Sequence, residues 1–257
     1  MYKVVIIGSG NVAWHLAHYL PFCGGCITQI YSRNKDAAEA LAASLGTDFT
    51  SNVRDIYSNA DFYIYAIKDD ALSTVIQAVE VENGIHLHTS GAVDISVFDG
   101  RKKNFGVLYP FQTFSKQRKI DLNQTPLFIE ANTNYNLQKI SDFANKISLK
   151  VYELTSEQRI KVHLAGVFAN NFTNYLWNIS YNLLKSNNLP FSVIMPLIKE
   201  SIDKLNYLTP EQAQTGPAKR GDQNVIKAHL ELLANNKNLQ KIYELISEEI
   251  KLSDSSF

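Results

Sequence analysis

Residues 3–13 read Lys3-Val4-Val5-Ile6-Ile7-Gly8-Ser9-Gly10-Asn11-Val12-Ala13, and this stretch decides the fold. Its first part is a short, mostly β-branched apolar run, which is typical of a buried parallel strand. The next six residues match the G-x-G-x-x-A turn of dinucleotide-binding folds, and a helix is predicted from Val12 to Leu20. Gly8 would permit the tight turn, Gly10 would let a pyrophosphate approach the backbone, and Ala13 would let the helix pack closely on the strand. We therefore predict that residues 8–13 bind a dinucleotide at the start of the first helix.

Strand and helix signals alternate along residues 1–152. Further strands are predicted at 27–31, 48–50, 62–67, 85–88, 105–108, 127–130 and 150–152, and helices at 36–45, 69–79 and 135–147. This alternation is typical of the α/β class, here a Rossmann-like, doubly wound parallel sheet. Right-handed crossovers would bring the ends of strands one, two, four and five to a common cleft. Residues 1–152 are therefore predicted to form a dinucleotide-binding domain.

Helical periodicity replaces the strand signals after residue 153. Helices are predicted at 156–185, 191–205, 224–233 and 239–252. Residues 153–257 would thus form an all-α domain for substrate binding and dimerisation. Its first helix is apolar on more than one face, and a small domain cannot cover that much apolar surface. This predicts a homodimer through the helical domain.

The composition excludes several classes of partner. Of the 257 residues, 25 are Lys or Arg and 25 are Asp or Glu, so the formal net charge is zero. This balance does not require a strongly basic surface, which argues against nucleic acid as a partner. No apolar run approaches the roughly 20 residues of a membrane span, and the chain opens directly into a strand rather than a signal peptide. We expect a cytoplasmic protein that acts on a small-molecule substrate.

The two cysteines form the sequence Cys23-Gly24-Gly25-Cys26. This spacing occurs in redox pairs and in half of a zinc site. A zinc site needs two more ligands, and no Cys/His cluster of suitable spacing is present. A redox pair normally stands where a strand enters a helix, whereas this pair follows a helix. The sequence favours a loop without a metal.

The second strand ends in Ser32-Arg33-Asn34-Lys35. An enzyme that prefers NAD usually places Asp or Glu here to bind the ribose 2′-hydroxyl. Instead, a hydroxyl and a guanidinium stand where a 2′-phosphate would lie, and the guanidinium fork suits a phosphate. Ser32, Arg33 and Asn34 therefore favour NADP over NAD. The alternative is a solvated basic loop.

Small and polar residues follow strands four and five. Ala66, Ile67 and Lys68 would shape the floor under the ribose and nicotinamide, and Asp69 or Asp70 would cap the next helix. His88-Thr89-Ser90-Gly91-Ala92 would lie near the reacting end of the nicotinamide. His86 and His88 share a strand face, but a metal site would need a third ligand. A packed histidine bonded to backbone is the alternative for His88.

Polar residues also mark the long helix. His163, Gly166, Asn170, Asn171 and Asn174 interrupt its apolar surface. At about 100° per residue, Asn170 and Asn174 share the face of His163, and Asn171 is displaced by about 80°. Such groups either bond within a core or face a ligand.

Two loops could contribute to the site. Tyr109 to Ser115 carries aromatic residues that would wall the cleft or simply pack. The loop at 215–222 contains Thr215, Arg220 and Asp222. Arg220 would bind a substrate carboxylate or a cofactor phosphate. The alternative is that Asp222 caps the next helix and Arg220 is solvated.

The glycine turn resembles that of pyrroline-5-carboxylate reductase and of deazaflavin-linked NADP oxidoreductases. The whole chain is similar to a bacterial family that joins a Rossmann-like NADP-binding domain to a helical domain of unknown function. The motifs that carry this similarity are 88–92, 110–114, 163–171, 215–217, 220–222 and His229. A more distant resemblance, to the 6-phosphogluconate dehydrogenase superfamily, implies a cleft between the domains and dimerisation through the helices.

One position departs from that superfamily. Many of its dehydrogenases carry a Lys and, one turn later, an Asn on the first helix of the second domain. Here Lys161 is followed at the fourth position by Ala165. His163 with Asn171 is the nearest polar substitute for the missing pair.

These observations lead to one main hypothesis and two alternatives. The chain would be an NADP-dependent oxidoreductase that transfers a hydride between NADP(H) and a small carbonyl or imine in the interdomain cleft. His163 would supply the proton, or else His88 or Ser90 through water. The alternatives are a non-catalytic NADP-binding or regulatory protein and an imine reductase like pyrroline-5-carboxylate reductase.

Overall fold

An eight-stranded sheet forms the centre of the fold in the computed structural model, which describes residues 1–252. The strands are β1 (Tyr2–Ile7), β2 (Gly25–Tyr31), β3 (Asp48–Thr50), β4 (Phe62–Tyr65), β5 (Ile85–His88), β6 (Phe105–Pro110), β7 (Leu127–Ala131) and β8 (Val151–Glu153). Their order in the sheet is β3-β2-β1-β4-β5-β6-β7-β8. The predicted α/β class and Rossmann-like sheet are confirmed.

One strand pair differs from the predicted parallel sheet. β6 and β7 pair antiparallel, while all other neighbours are parallel. A parallel return needs a crossover, usually a helix. The chain between β6 and β7 contains only a 3-10 turn, Leu122–Gln124, so it turns back beside the strand it has just left.

The helices follow the predicted alternation. They are α1 (Asn11–Tyr19), α2 (Lys35–Ala43), α3 (Asp69–Ala78), α4 (Asn134–Ile147), α5 (Ser156–Gly166), α6 (Thr173–Lys185), α7 (Met195–Lys204), α8 (Pro210–Ala213), α9 (Pro217–Arg220), α10 (Gln223–Leu232) and α11 (Lys237–Leu252). The predicted helix at 156–185 contains a π-helical segment, Val167–Phe172, between α5 and α6. None of the helices in the described residues is long and apolar enough to cross a membrane.

Both faces of the sheet are buried at β1, which explains the unbroken apolar run in this strand. Its residues Val4 to Ile7 are fully inaccessible to solvent. Val4 and Ile6 pack in a cluster with Leu16 of α1, and the alternate residues pack in a second cluster with Ile76 of α3. Because successive strand side chains point to opposite faces, β1 needs apolar residues at every position.

The chain divides into two compact units. The first, Met1–Tyr175, contains the whole sheet, α5 and the π-helical segment. The second begins at Leu176. Between residues 176 and 252 it contains three buried residues, Ala218, Ile226 and Ser247. The proposed domain boundary after residue 152 lies inside β8, where the sheet ends, and stays a prediction.

The cysteines differ in part from the predicted loop. Cys23 ends a 3-10 turn, whereas Cys26 is the second residue of β2, which starts two residues earlier than expected. Both are free thiols. Burial raises the pKa of the Cys23 thiol, which disfavours the reactive thiolate.

Candidate functional site

A single large cavity within the first compact unit gathers most of the predicted site residues. Its volume is about 1140 Å³, ample for a small-molecule ligand. It lies at the carboxyl ends of β1, β2, β4, β5 and β6, and α5 and the π-helical segment contribute further lining residues. The predicted residues in the lining are Gly8, Ser9, Gly10, Asn11, Val12, Ser32, Arg33, Asn34, Ala66, Ile67, Lys68, Thr89, Ser90, Gly91, His163 and Asn171. The common cleft expected from right-handed crossovers therefore exists.

The two glycines of the first turn have different surroundings. Gly8 has a φ of 130°, and a Cβ there would lie 2.1 Å from the carbonyl oxygen of Ala66 on the neighbouring strand's end. Any side chain would thus disrupt the pairing edge of β1 and β4. A Cβ at Gly10 would meet no atom within 4 Å, so the space above it is open. Ala13 is fully buried in the core and packs α1 on the sheet instead of lining the cavity.

The start of α1 presents unpaired donors to the cavity. Gly10 is the N-cap residue and provides no side-chain bond, and the first turn contains no acidic residue. The first amide that bonds within the helix is that of Trp14, which donates to the Gly10 carbonyl at 2.9 Å. The amides of Asn11, Val12 and Ala13 precede it and have no acceptor within the helix. Together with the helix dipole, they favour an anion such as a phosphate.

The end of β2 places a free arginine beside this turn. The hydroxyl of Ser9 donates to Ser32 Oγ at 3.0 Å, which joins the two loops. Asn34 caps α2 by accepting from the Ala37 amide at 3.0 Å. Arg33 is exposed and forms no ion pair among residues 1–252. Its guanidinium is therefore available for a ligand anion.

The loop after β4 closes the floor of the cavity. Ala66 is buried, and its amide donates to the Ile7 carbonyl at 2.8 Å. Lys68 is the N-cap residue of α3, so Asp69 and Asp70 lie in the first turn and not at the predicted cap. There the two carboxylates still favour the helix through its dipole.

His88 lies in the core and does not line the cavity. Its side chain stacks on Phe98 at 5.8 Å, and its Nδ1 accepts from the Ser90 amide at 3.2 Å. Burial, followed by the charge of Arg159, lowers the pKa of His88 to about 3. It stays neutral near pH 7 and is a packed histidine without access to the cavity, so it has no part in the proposed chemistry. His86 is likewise buried, with its Nδ1 3.0 Å from Tyr65 Oη.

Ser90 holds the loop after β5 in shape. Its Oγ accepts from the amides of Ala92 and Val93 at 3.1 and 3.0 Å. The fully buried Arg159 of α5 donates to the carbonyls of Ser90 and Val93 at 2.8 Å each. The same guanidinium forms a 3.1 Å ion pair with Glu130 of β7. This buried network fixes α5 to the loop that carries Ser90 and Gly91.

A tyrosine and a histidine meet inside the cavity. Tyr109 Oη lies 3.0 Å from His163 Nδ1. A Cβ at Gly91 would lie 2.6 Å from both Tyr109 Cζ and His163 Nδ1, so glycine is needed for the pair to close over this loop. Burial raises the pKa of Tyr109 to about 12. The phenol therefore keeps its proton near pH 7 and can donate to a neutral imidazole or accept from a protonated one.

The π-helical segment corrects the predicted arrangement of asparagines. Asn170 and Asn171 both line the cavity together with His163, whereas Asn174 is not part of the lining. The prediction assumed an unbroken α-helix, and a π-helical turn holds more residues, so it rotates every later side chain. Gly166 precedes the segment, and a Cβ there would lie 2.6 Å from Phe111.

The predicted substrate residues of the 215–222 loop belong to the second compact unit. Arg220 and Asp222 pair with each other, with Nη2 2.8 Å from Oδ2. Asp222 is the N-cap residue of α10, as the alternative predicted, but its side chain forms no cap bond. Thr215 is exposed, and its carbonyl accepts from the Gln214 side chain at 2.9 Å.

Tyr109 is the functional candidate that sequence reasoning missed. The sequence pattern predicts only that the aromatic residues of this loop wall the cleft, and Tyr109 to Phe114 do line the cavity. Its position near the end of β6 could have indicated a role, because the ends of the neighbouring parallel strands already carry the other predicted site residues. Unlike its phenylalanine neighbours, Tyr109 carries a hydroxyl that can exchange a hydrogen bond at that edge.

The comparisons with known proteins agree with this geometry. Residues 3–93 match the family described as NADP oxidoreductase, coenzyme F420-dependent, and residues 125–250 match a domain of unknown function, DUF2520. A candidate NADP oxidoreductase from Bacteroides fragilis is 40% identical, with 97% of this chain and 98% of that chain covered and a TM-score of 0.93. At this identity and coverage, the chain belongs to the same family as the Bacteroides fragilis protein. A comparison with curated proteins finds no significant match.

Two more distant structures share the fold. A Thermotoga maritima protein is 22% identical over 98% of this chain and all of its own, with a TM-score of 0.81. The 1-pyrroline-5-carboxylate reductase of Streptococcus pyogenes is 12% identical, with 97% of this chain and 98% of that chain covered and a TM-score of 0.65. The resemblance to pyrroline-5-carboxylate reductase is therefore confirmed at the level of the fold.

Proposed function

We propose that this protein is an oxidoreductase that transfers a hydride between NADP(H) and a small carbonyl or imine substrate. One observation carries the proposal: a single cavity joins the glycine turn and Arg33 to the Tyr109–His163 pair. The cofactor, when bound, supplies or accepts the hydride, and the protein must bind both reactants and move a proton. The cavity offers groups for each of these tasks.

The residues at the ends of β1 and β2 suit the phosphates of NADP. The free amides at the start of α1 would hold the pyrophosphate, and the open space over Gly10 would admit it. Ser32 and Arg33 would hold the 2′-phosphate, since no carboxylate at the end of β2 selects a ribose hydroxyl. Ile67, Lys68 and Thr89 would line the ribose and nicotinamide.

Replacing Arg33 with alanine is expected to weaken NADPH binding about tenfold or more, because one charge-assisted bond to a phosphate is lost. NADH binding should change less than about twofold. Fluorescence titration of both reduced cofactors measures the difference. Arg54→Ala removes another exposed arginine, outside the cavity lining, and should leave both affinities unchanged. Equal losses for NADPH and NADH in Arg33→Ala would contradict the 2′-phosphate assignment.

His163 is the proposed proton donor. Imidazole exchanges protons near neutral pH, and His163 lines the cavity together with Asn171. Its imidazolium would protonate the oxygen or nitrogen of the substrate as hydride reaches the neighbouring carbon, and solvent would then restore the proton. Tyr109 positions the ring through Nδ1, and Ser90 remains a candidate proton donor that acts through water.

Arg220, with Asp222 and Thr215, remains the proposed anchor for an anionic substrate, in its own or a partner's subunit.

Two alternatives have specific support. The shared fold favours an imine reductase like pyrroline-5-carboxylate reductase. The alanine at position 165, in place of the asparagine of related dehydrogenases, favours a non-catalytic NADP-binding or regulatory protein. Incubation with NADPH and a panel of oxo-acids and cyclic imines, followed by the absorbance of the reduced cofactor, separates them. Proline formation identifies the imine reductase, and tight NADPH binding without turnover across the panel identifies the regulatory protein.

We further propose a homodimer through the helical unit. The apolar helices α6 and α7 contain no buried residue, and Leu183, Leu197 and Ile202 are 47%, 68% and 54% exposed. Apolar patches of this extent usually mark an interface in a water-soluble protein. Sedimentation equilibrium should therefore give about twice the chain mass of 28.9 kDa. Leu197→Glu should produce monomers, while the neighbouring exposed control Lys199→Glu should not. A wild-type monomer at micromolar concentration would disprove the dimer.

A further inference from the structure

The chain after β6 crosses the glycine turn and brings a cation to it. Three contacts hold this crossing segment, residues 111–119, in place. Asn11 Nδ2 donates to the Phe114 carbonyl at 2.9 Å, and His15 Nε2 lies 3.0 Å from the Ser115 carbonyl. Lys116 Nζ donates to the Ser9 carbonyl at 3.1 Å. The first turn of α1 and the glycine turn are thus bridged by a segment about a hundred residues later in the chain.

Phe114 anchors the middle of the crossing segment to the core. Phe114 packs against the main hydrophobic cluster, and its ring lies 5.1 Å from that of the buried His15. Beyond it, the Arg118 amide donates to the Ser115 carbonyl at 3.2 Å and closes a tight turn. The anchor and the turn fix the backbone, whereas Lys116, Arg118 and Lys119 remain exposed. Among these cations, Lys116 contacts the glycine turn through the Ser9 carbonyl.

Lys116 has no anionic partner where it stands. Within residues 1–252 it forms no ion pair, and a backbone carbonyl is the acceptor of its ammonium. That carbonyl belongs to Ser9, whose hydroxyl bonds to Ser32, the neighbour of Arg33. Lys116 and Arg33 thus flank the Ser9–Ser32 contact with two uncompensated positive charges next to the positive end of α1. Such an arrangement is favourable when an anion lies between them.

We propose that Lys116 is a ligand for a phosphate group of the bound dinucleotide. The inference rests on the proposed function and adds a residue from outside the glycine turn and the β2 loop. A lysine ammonium binds phosphate as a compact charge on a flexible stem, so a short swing from the Ser9 carbonyl is enough. The phosphate is either the pyrophosphate over α1 or the 2′-phosphate beside Arg33. Both groups present the same chemistry to Lys116. NADPH and NADH distinguish them, because both cofactors carry the pyrophosphate and only NADPH carries the 2′-phosphate.

Titration of the full-length protein with NADPH and NADH tests the role of Lys116. Lys116→Met should weaken NADPH binding about tenfold at low salt, and the loss should shrink as ionic strength rises. Loss for NADPH alone assigns the 2′-phosphate, and an equal loss for NADH assigns the pyrophosphate. Lys119→Met removes the same charge from the same segment and should change either affinity less than about twofold.

A second readout is protection from trypsin. NADPH should slow cleavage after Arg118 in the wild-type protein, because a phosphate bound by Lys116 holds the crossing segment, and it should slow it much less in Lys116→Met. Wild-type NADPH affinity in Lys116→Met, or an equal loss in Lys119→Met, would overturn this inference while the proposed function stands. A wild-type protein that binds no NADPH would overturn both.

Discussion

Replacing Arg159 with methionine is expected to lower the free energy of unfolding by about 3–5 kcal/mol, because a buried ion pair loses one partner and leaves the other uncompensated. The guanidinium is 1% exposed and bonds to Glu130, Ser156 and the carbonyls of Ser90 and Val93. In a chain of this size the loss corresponds to a decrease in melting temperature on the order of 10 °C. Thermal unfolding at one fixed protein concentration measures it.

An exposed ion pair two residues away provides the matched control. Lys161 Nζ lies 2.6 Å from Glu157 Oε1, but the two side chains are 72% and 78% exposed. Lys161→Met should therefore cost less than about 1 kcal/mol. The double variant Arg159→Met, Glu130→Gln should recover part of the stability, since it removes the uncompensated carboxylate. A melting temperature of Arg159→Met close to that of Lys161→Met would show that the network around Arg159 contributes little.

The stability of this network also bears on the site. Arg159 holds the loop of Ser90 and Gly91, and Gly91 lies in contact distance of both Tyr109 and His163. The Arg159 variant should therefore disturb the tyrosine–histidine pair even where the protein still folds. Core stability and cavity geometry depend on the same side chain.

The first half of the fold was predictable because its signals are local. The run at Val4 to Ile7, the turn at Gly8 to Ala13 and the first helix are adjacent in sequence, so each constrains the next. The same applies to the end of β2, where the absence of an acid before Asn34 could be read directly. These local patterns also identified most of the cavity lining, since parallel strands end at one edge of the sheet.

The rest depended on contacts between distant residues. Tyr109 and His163 are 54 residues apart, and nothing near either one in sequence indicates the other. The two alternatives for His88 differ in whether its strand face is covered by Phe98, which periodicity does not reveal. The antiparallel β7 follows from the length and content of one connection. The π-helical segment changed which asparagine faces the cavity without leaving a mark in the apolar pattern.

Replacing His163 with glutamine is expected to lower kcat by about 10²–10⁴-fold on any substrate found in the oxo-acid and imine panel. The change removes the proposed proton donor, and glutamine keeps a side chain that can bond to Tyr109. NADPH affinity should stay within about twofold, because His163 lies on α5 and the proposed phosphate ligands lie at the ends of β1 and β2. Steady-state kinetics with a parallel NADPH titration measures both quantities.

The tyrosine variant separates proton donation from positioning. Tyr109→Phe keeps the ring and removes the hydroxyl that lies 3.0 Å from His163 Nδ1. We expect a smaller decrease in kcat than in His163→Gln, together with a displaced pH profile, because the imidazole loses the partner that sets its tautomer. His18→Gln is the matched control, since His18 contacts Trp14 of α1 and Ser44, the residue after α2, and is not part of the cavity lining.

The outcomes distinguish the roles of His163 and Tyr109, because both variants affect the proposed proton transfer. Full turnover in His163→Gln would remove this histidine from the chemistry and leave Ser90, through water, as the proton source. A large loss in both variants with an unchanged pH profile would indicate that the pair only shapes the cavity. The proposed chemistry predicts a large loss of kcat in His163→Gln and a smaller loss with a displaced pH profile in Tyr109→Phe. NADPH binding should be unchanged in both variants. These results together would establish the cavity as the site of hydride and proton transfer. That result would also show how this chain works without the lysine–asparagine pair, whose second position is Ala165.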